Sequence, residues 1–180
     1  HQTRRTSDAY GRLSTVEELT GSETFTTTYR YDALGNLLQV TDAKGNITRI
    51  SYDSLGRKLA MDDPDMGRWT YAFDAVDNLT SQTDARGVTS SFTYDSLNRL
   101  TRKDAVIPPT SDIRPLTAVQ YTYDDTTNPY RTGKLTAITD GSGASSFEYD
   151  PLGRLITETK TVDGAPSTVH RTYDLLGRLT

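Results

Sequence analysis

The stretch that decides the fold is YDALGNLLQVTDAKGNITRIS, residues 31–51, because the chain repeats it almost at once. Residues 52–72 read YDSLGRKLAMDDPDMGRWTYA, and an aromatic residue followed by Asp opens each further copy. The pairs are Tyr31-Asp32, Tyr52-Asp53, Phe73-Asp74, Tyr94-Asp95, Tyr123-Asp124, Tyr149-Asp150 and Tyr173-Asp174. A weaker copy covers residues 7–13. Such self-similarity indicates an array of one supersecondary unit.

A finer rhythm lies inside each copy, where Asp returns after ten or eleven residues, as at Asp32, Asp42 and Asp53. Three residues after most of these aspartates stands a residue that tolerates positive φ. These residues are Gly35, Gly45, Gly56, Asp77, Gly87, Asn98, Gly153 and Gly177. An Asp that caps its own turn, followed by such a residue, is typical of a type I turn with a bulge. The spacing therefore predicts short strands joined by tight turns: an all-β, antiparallel β-hairpin meander.

The strands between the turns alternate in polarity, as Trp69, Tyr71 and Phe73 do against their neighbours. Leu or Val usually stands three residues after the repeat aromatic (Leu34), and Leu usually stands six after it (Leu37). We expect aromatic, turn leucine and strand leucine to stack on their equivalents along a single sheet. With 34% hydrophobic residues, the chain has too little apolar surface for a two-sheet sandwich.

Two segments interrupt the rhythm of what is otherwise one array over residues 1–180. Residues 104–118 contain Pro108, Pro109 and Pro115, which do not fit a central strand, so we expect an irregular loop there. Residues 124–134 replace the short turn with an enlarged one. The last turn signal, YDLLGRL, lies just before the end of the sequence, and we expect the array to be a fragment whose two edges continue in a longer protein.

Composition excludes several function classes. A net charge of −4 argues against a nucleic-acid partner. No apolar run approaches the length of a membrane span. The absence of Cys removes disulfides, thiolate nucleophiles and cysteine-based zinc sites.

Candidate chemical groups have simpler structural interpretations. The repeated aspartates could act in acid–base chemistry or bind calcium, but turn capping explains their spacing. The acidic cluster at 62–65 lacks the calcium-loop motif. His170 has no ligand or base partner at a suitable spacing. Trp69 and Tyr71 could stack on a sugar ring, but their positions in a strand already explain them. We therefore predict no enzyme, no catalytic residue, no cofactor and no metal.

The segments YDALGNL, YDSLGRK, YDSLNRL, YDPLGRL and YDLLGRL resemble the YD repeats of Rhs proteins, found in bacterial Rhs toxins, insecticidal toxin complex B and C components and teneurins. The resemblance runs from about residue 8 to 179. It implies a β-solenoid that forms part of a curved hollow shell around a C-terminal toxin, in a secreted or cell-envelope bacterial protein. The implied partners are the rest of that shell, the enclosed toxin domain and secretion-system or toxin-complex components. Bacterial shells of this family carry an aspartyl autoprotease, as the resemblance implies. Its sequence signature is missing from this chain, so no protease role is assigned to Asp150.

Three functions compete at this point. The first is a non-enzymatic structural segment of a secreted Rhs-type toxin shell that encapsulates its toxin. The second is a cell-surface carbohydrate- or protein-binding YD-repeat module, teneurin-like or adhesive. The third is a hydrolase that uses clustered carboxylates.

Overall fold

The computed structural model describes residues 2–106, 118–125 and 127–180. Within them lie fifteen β-strands and one short 3₁₀ helix, Pro129–Arg131. The strands are β1 (Gln2–Ser7), β2 (Leu13–Thr20), β3 (Glu23–Tyr31), β4 (Leu37–Thr41), β5 (Ile47–Tyr52), β6 (Lys58–Asp63), β7 (Gly67–Phe73), β8 (Leu79–Thr83), β9 (Thr89–Tyr94), β10 (Leu100–Val106), β11 (Val119–Tyr123), β12 (Leu135–Asp140), β13 (Gly143–Tyr149), β14 (Leu155–Val162) and β15 (Ala165–His170).

Each strand from β1 to β7 pairs antiparallel with the next one in the chain, and each strand from β9 to β15 does the same. Because strands that follow each other in the chain are neighbours in space, this arrangement is a meander. The sequence prediction of an all-β antiparallel meander is confirmed. By contacts the chain divides into two compact units, one of residues 1–73 and 82–87 and the other of residues 74–81 and 88–180.

The turns that begin with a repeat aspartate shift the strand register by one residue. In the first unit the shift falls between Arg30 and Tyr31 and between Ser51 and Tyr52. The second unit has the same irregularity between Glu148 and Tyr149. The extra residue is the β-bulge that the turn pattern predicts, and such bulges increase the local twist of the strands.

The sheet has no packed interior. Among the described residues, Val88 is the only buried apolar residue, and it retains 8% exposure. The strand leucines Leu37 and Leu100 are half-buried. Neighbouring side chains on a single sheet cover only part of each other, so both faces of the sheet remain partly exposed to solvent.

The prediction that the turn leucines stack along the sheet is wrong. Leu34 is 77% exposed and Leu97 is 69% exposed. Their equivalents Leu55, Val76, Leu152 and Leu176 are exposed as well. These residues stand in the middle of a tight turn, where the side chain projects beyond the ends of the strands. No second layer meets them there in the part of the chain that the structure describes.

The two interruptions of the repeat differ from expectation in detail. Strand β10 runs on to Val106, so residues 104–106 belong to a strand and not to the loop predicted for 104–118. The loop predicted for residues 107–117 lies outside the described residues. Between β11 and β12, the segment 124–134 contains the 3₁₀ helix, and the Asn128 side chain accepts the Tyr130 N–H at its start.

No helix of the described residues has the length and the apolar content that crossing a bilayer would need.

A matched pair of leucine variants tests where the apolar stabilisation resides. We expect Leu100→Ala to lower the free energy of unfolding by roughly 1–2 kcal/mol, because it removes a half-buried strand side chain. Leu97→Ala should change it by less than about 0.5 kcal/mol, because that side chain already lies in solvent. Urea unfolding followed by circular dichroism measures both, and equal losses would contradict the assignment.

Candidate functional site

The most regular chemical feature of the structure is the tight turn that begins with a recurring aspartate, here called the aspartate turn. In the turn at Asp32, the carboxylate Oδ1 accepts the N–H of Leu34 at 2.9 Å and the N–H of Asn36 at 2.8 Å. Oδ2 accepts the side-chain amide of Asn36 at 2.9 Å. The backbone closes the turn, since the Gly35 N–H donates to the Asp32 carbonyl at 3.3 Å.

The same hydrogen bonds recur at seven other aspartates. They are Asp8, Asp42, Asp53, Asp74, Asp95, Asp150 and Asp174. The residue four positions later is always Arg or Asn, and its side chain donates to the second carboxylate oxygen. Even the weak copy at residues 7–13 forms the full turn, so its altered sequence retains the residues that the geometry needs.

The third residue after the aspartate has positive φ in these turns. Gly35 has φ of 93°, while Asp77 and Asn98 occupy the same place with φ of 69° and 60°. Asp and Asn are the residues other than Gly that tolerate this conformation best. The substitution of Gly in those two copies therefore preserves the turn.

Asp124 and Asp63 act differently. Asp124 accepts the Gly133 N–H at 2.6 Å and so closes the enlarged turn around the 3₁₀ helix. Asp63 caps the turn to β7 through the N–H groups of Asp65 and Met66, and it accepts the Thr48 hydroxyl at 2.6 Å.

The arginine that ends an aspartate turn also contacts the next copy of the repeat. Arg99 donates to Asp95 of its own turn and to Asp124 of the following copy, both at 2.7 Å. Its guanidinium carbon lies 4.5 Å from the centre of the Tyr123 ring. Cation–π attraction and two carboxylates thus hold one side chain.

Other copies repeat this link between neighbouring turns. The arginines Arg12, Arg57 and Arg154 lie over the rings of Tyr31, Phe73 and Tyr173 at 4.8, 5.2 and 4.7 Å. Arg12 also donates to the Asp32 carbonyl at 2.9 Å. This stacking was not predicted from the sequence. The signal was present, because an Arg after each turn and an aromatic residue before the next share one period.

The repeat tyrosines make a second link. The hydroxyl of Tyr94 donates to the Leu79 carbonyl at 3.0 Å, and Tyr149 and Tyr173 donate likewise to Leu135 and Leu155. Burial, and then the nearby charge of Asp74, raises the pKa of Tyr94. The hydroxyl therefore remains a donor over the ordinary pH range.

Hydrogen bonds set the electrostatics of the turns. The backbone N–H and the guanidinium of Arg99 hold the pKa of Asp95 below its usual range against a smaller opposing effect of burial. The side chain of Asn36 does the same for the pKa of Asp32. The pKa of Arg99 is raised by Asp124 first and by Asp95 second. A carboxylate held in this way is a weak base, so its chemistry favours structure over proton transfer.

Across residues 2–106, 118–125 and 127–180, no three His, Asp or Glu side chains converge as metal ligands would. Of the acidic cluster at 62–65, Asp62 faces Arg68 at 3.3 Å and Asp63 caps its turn. The structure places each predicted repeat residue in or beside an aspartate turn or its enlarged variant. That these residues determine the stability of the array stays a prediction.

Comparison with known proteins gives a family and a fold. A family model described as RHS Repeat matches residues 8–47, 31–65, 73–105 and 130–166, more than half of the chain. No curated protein sequence matches the chain.

Among solved structures, the crystal structure of TcdB2-TccC3 without its hypervariable C-terminal region matches with a TM-score of 0.74 and 21% identity, over 97% of this chain and 11% of that chain. TcdB2-TccC3-Cdc42 matches with a TM-score of 0.79 and 18% identity, over 98% of this chain and 10% of that one. The Tc holotoxin pore of Photorhabdus luminescens matches with a TM-score of 0.70 and 20% identity, over 94% and 10%. The chain thus spans about a tenth of each relative, and at this identity the likeness concerns the fold.

A tyrosine pair tests the hydroxyl link. We expect Tyr94→Phe to lower the free energy of unfolding by about 0.5–1.5 kcal/mol, the usual net value of one hydrogen bond. Tyr29→Phe is the matched control, because the Tyr29 hydroxyl has no hydrogen-bond partner among the described residues. Urea titrations of the two variants should differ by that amount, and identical curves would show that the Leu79 contact stabilises nothing.

The lowered pKa values of the turn aspartates predict acid sensitivity. A carboxylate whose folded pKa is depressed contributes stability above its unfolded pKa of about 3.9, and loses that contribution as the pH falls through the folded value. The urea midpoint should therefore be flat at neutral pH and fall in the acid range. Asp95→Asn should start from a lower midpoint and lose less on acidification. An acid response as large as that of the unmodified chain would refute the role of the Asp95 charge.

Proposed function

Because this chain belongs to the RHS repeat family, we propose that it is a non-enzymatic wall segment of a secreted Rhs-type toxin shell that encloses a C-terminal toxin. The observation that carries the proposal is a sheet extended by identical aspartate turns without a packed interior. A globular enzyme or a compact binding domain buries a core. This chain instead repeats one hairpin and leaves both faces of the sheet partly exposed.

The links between turns suit a wall. The aspartate carboxylate satisfies the backbone of its own turn. Four arginines then join their turn to the next repeat aromatic residue: Arg12, Arg57, Arg99 and Arg154. Stability then grows with the number of neighbours, as in other repeat arrays. A wall built this way can lengthen by adding copies and needs no larger core.

The fold relationship supports the same role. The TcdB2-TccC3 structures contain this fold over about a tenth of their length, so the chain corresponds in size to a segment of such a protein. We propose the rest of its own shell and the enclosed toxin domain as partners, with toxin-complex or secretion-system components at delivery. A curved and hollow form, and a secreted or cell-envelope location in a bacterium, belong to the same proposal.

Electron microscopy of the full-length parent protein tests this function. We expect a closed, hollow particle, in which the C-terminal toxin resists protease until the shell opens. Deleting the C-terminal domain should leave the particle intact and empty its interior. A solid globule, an open rod or a toxin that protease digests at once would refute the proposal.

A further inference from the structure

One polar row crosses five strands of the first unit. Arg30 on β3 lies opposite Gln39 on β4, which lies opposite Arg49 on β5. Arg49 in turn lies opposite Asp62 on β6, and Asp62 lies opposite Arg68 on β7. Residues directly opposite each other share one face of a sheet. We call this set the arginine row.

Two arginines of the row are not paired. Asp62 accepts from Arg68 at 3.3 Å, which leaves Arg30 and Arg49 without a hydrogen bond or ion pair to any residue that the structure describes. Other exposed arginines do have such partners, as in Arg86–Asp84 at 2.6 Å and Arg178–Asp174 at 2.7 Å. The row therefore carries a local positive charge in a chain whose net charge is −4.

The unpaired arginines line a concavity of about 430 Å³, together with Gln39, Ser51 and Ile50. Leu38, Tyr31, Ala60 and Asp62 complete its wall. Strands β3 and β5 lie about 10 Å apart, two strand spacings. Two arginine side chains can therefore reach one ligand from opposite sides, with Gln39 beneath it. The volume is in the range of small-molecule sites.

We propose that this concavity binds an acidic monosaccharide, a use that is independent of the wall role. Two guanidinium groups fit the oxygens of a carboxylate, sulfate or phosphate group. Gln39 and Ser51 offer donors and acceptors to ring hydroxyls. Leu38 and Ala60 offer an apolar surface to the ring carbons. A bare inorganic anion would use only the arginines, and a neutral sugar would leave both charges unused.

Calorimetric titration of the full chain tests the site with four probes: glucuronate, a sulfated glucose, a phosphorylated glucose and unmodified glucose. We expect millimolar or tighter binding of at least one acidic sugar, and no binding of glucose. The preferred probe identifies the acidic group. Arg49→Gln should weaken that binding about tenfold, the value of one charge-assisted hydrogen bond, and Arg30→Gln with Arg49→Gln should abolish it.

The control variant carries Arg5→Gln and Lys44→Gln, which remove two exposed charges outside the concavity, and it should bind as the unmodified chain does. Inorganic sulfate is the anion-only probe. Binding of sulfate as tight as that of the acidic sugars would overturn the saccharide assignment, and so would equal binding by the double variant. If circular dichroism shows that the double glutamine variant is unfolded, the Arg30→Lys and Arg49→Lys pair replaces it. That pair retains the charge, loses the planar fork and should still weaken binding. The absence of binding by every acidic probe at millimolar concentration would also end the proposal.

Discussion

The structure depends on one interaction, the capture of turn N–H groups by the aspartate that opens the turn. A tight turn leaves backbone donors without strand partners, and such groups are costly unless they are satisfied. At Asp95 one carboxylate accepts the N–H groups of Leu97 and Arg99 and also the Arg99 side chain. The turn is thereby complete within itself. Because the backbone donors of each turn are hydrogen-bonded within that turn, the chain can add further copies without a hydrophobic core.

The sheet is therefore stabilised by contacts between neighbouring strands and turns, and not by packing against a second layer. Since Val88 is the single buried apolar residue among those described, the usual hydrophobic interior contributes little here. Strand hydrogen bonds, half-buried side chains and the links from arginine to aromatic ring take its place. The side chain of Arg99 makes three of these contacts at once: it closes its own turn, pairs with Asp124 and covers the Tyr123 ring. The same cationic and aromatic residues that mark the repeat in the sequence hold its copies together.

Much of this was predictable. Turn chemistry is local, so Asp and Gly at fixed offsets indicated the turns, and the alternation of polarity between the turns indicated strands such as β7. Other features were missed although a signal existed. Asp163-Gly164 is a strong two-residue hairpin signal, and both residues have positive φ between β14 and β15. The turn leucines were misjudged because sequence gives their period but not whether anything lies opposite them.

By itself, the sequence determined the unit: an all-β hairpin whose turn is specified by residues within five positions of one another, because short-range hydrogen bonds need no distant partner. Only the tertiary structure decided what lies between units. It set the register that places Arg30, Gln39, Arg49 and Asp62 in one row, and it left two of those arginines unpaired. It also determined that turn leucines point into solvent while strand leucines are half covered. These outcomes depend on bulges and on strand neighbours that are far apart in the chain, and a local pattern of residues does not contain that information.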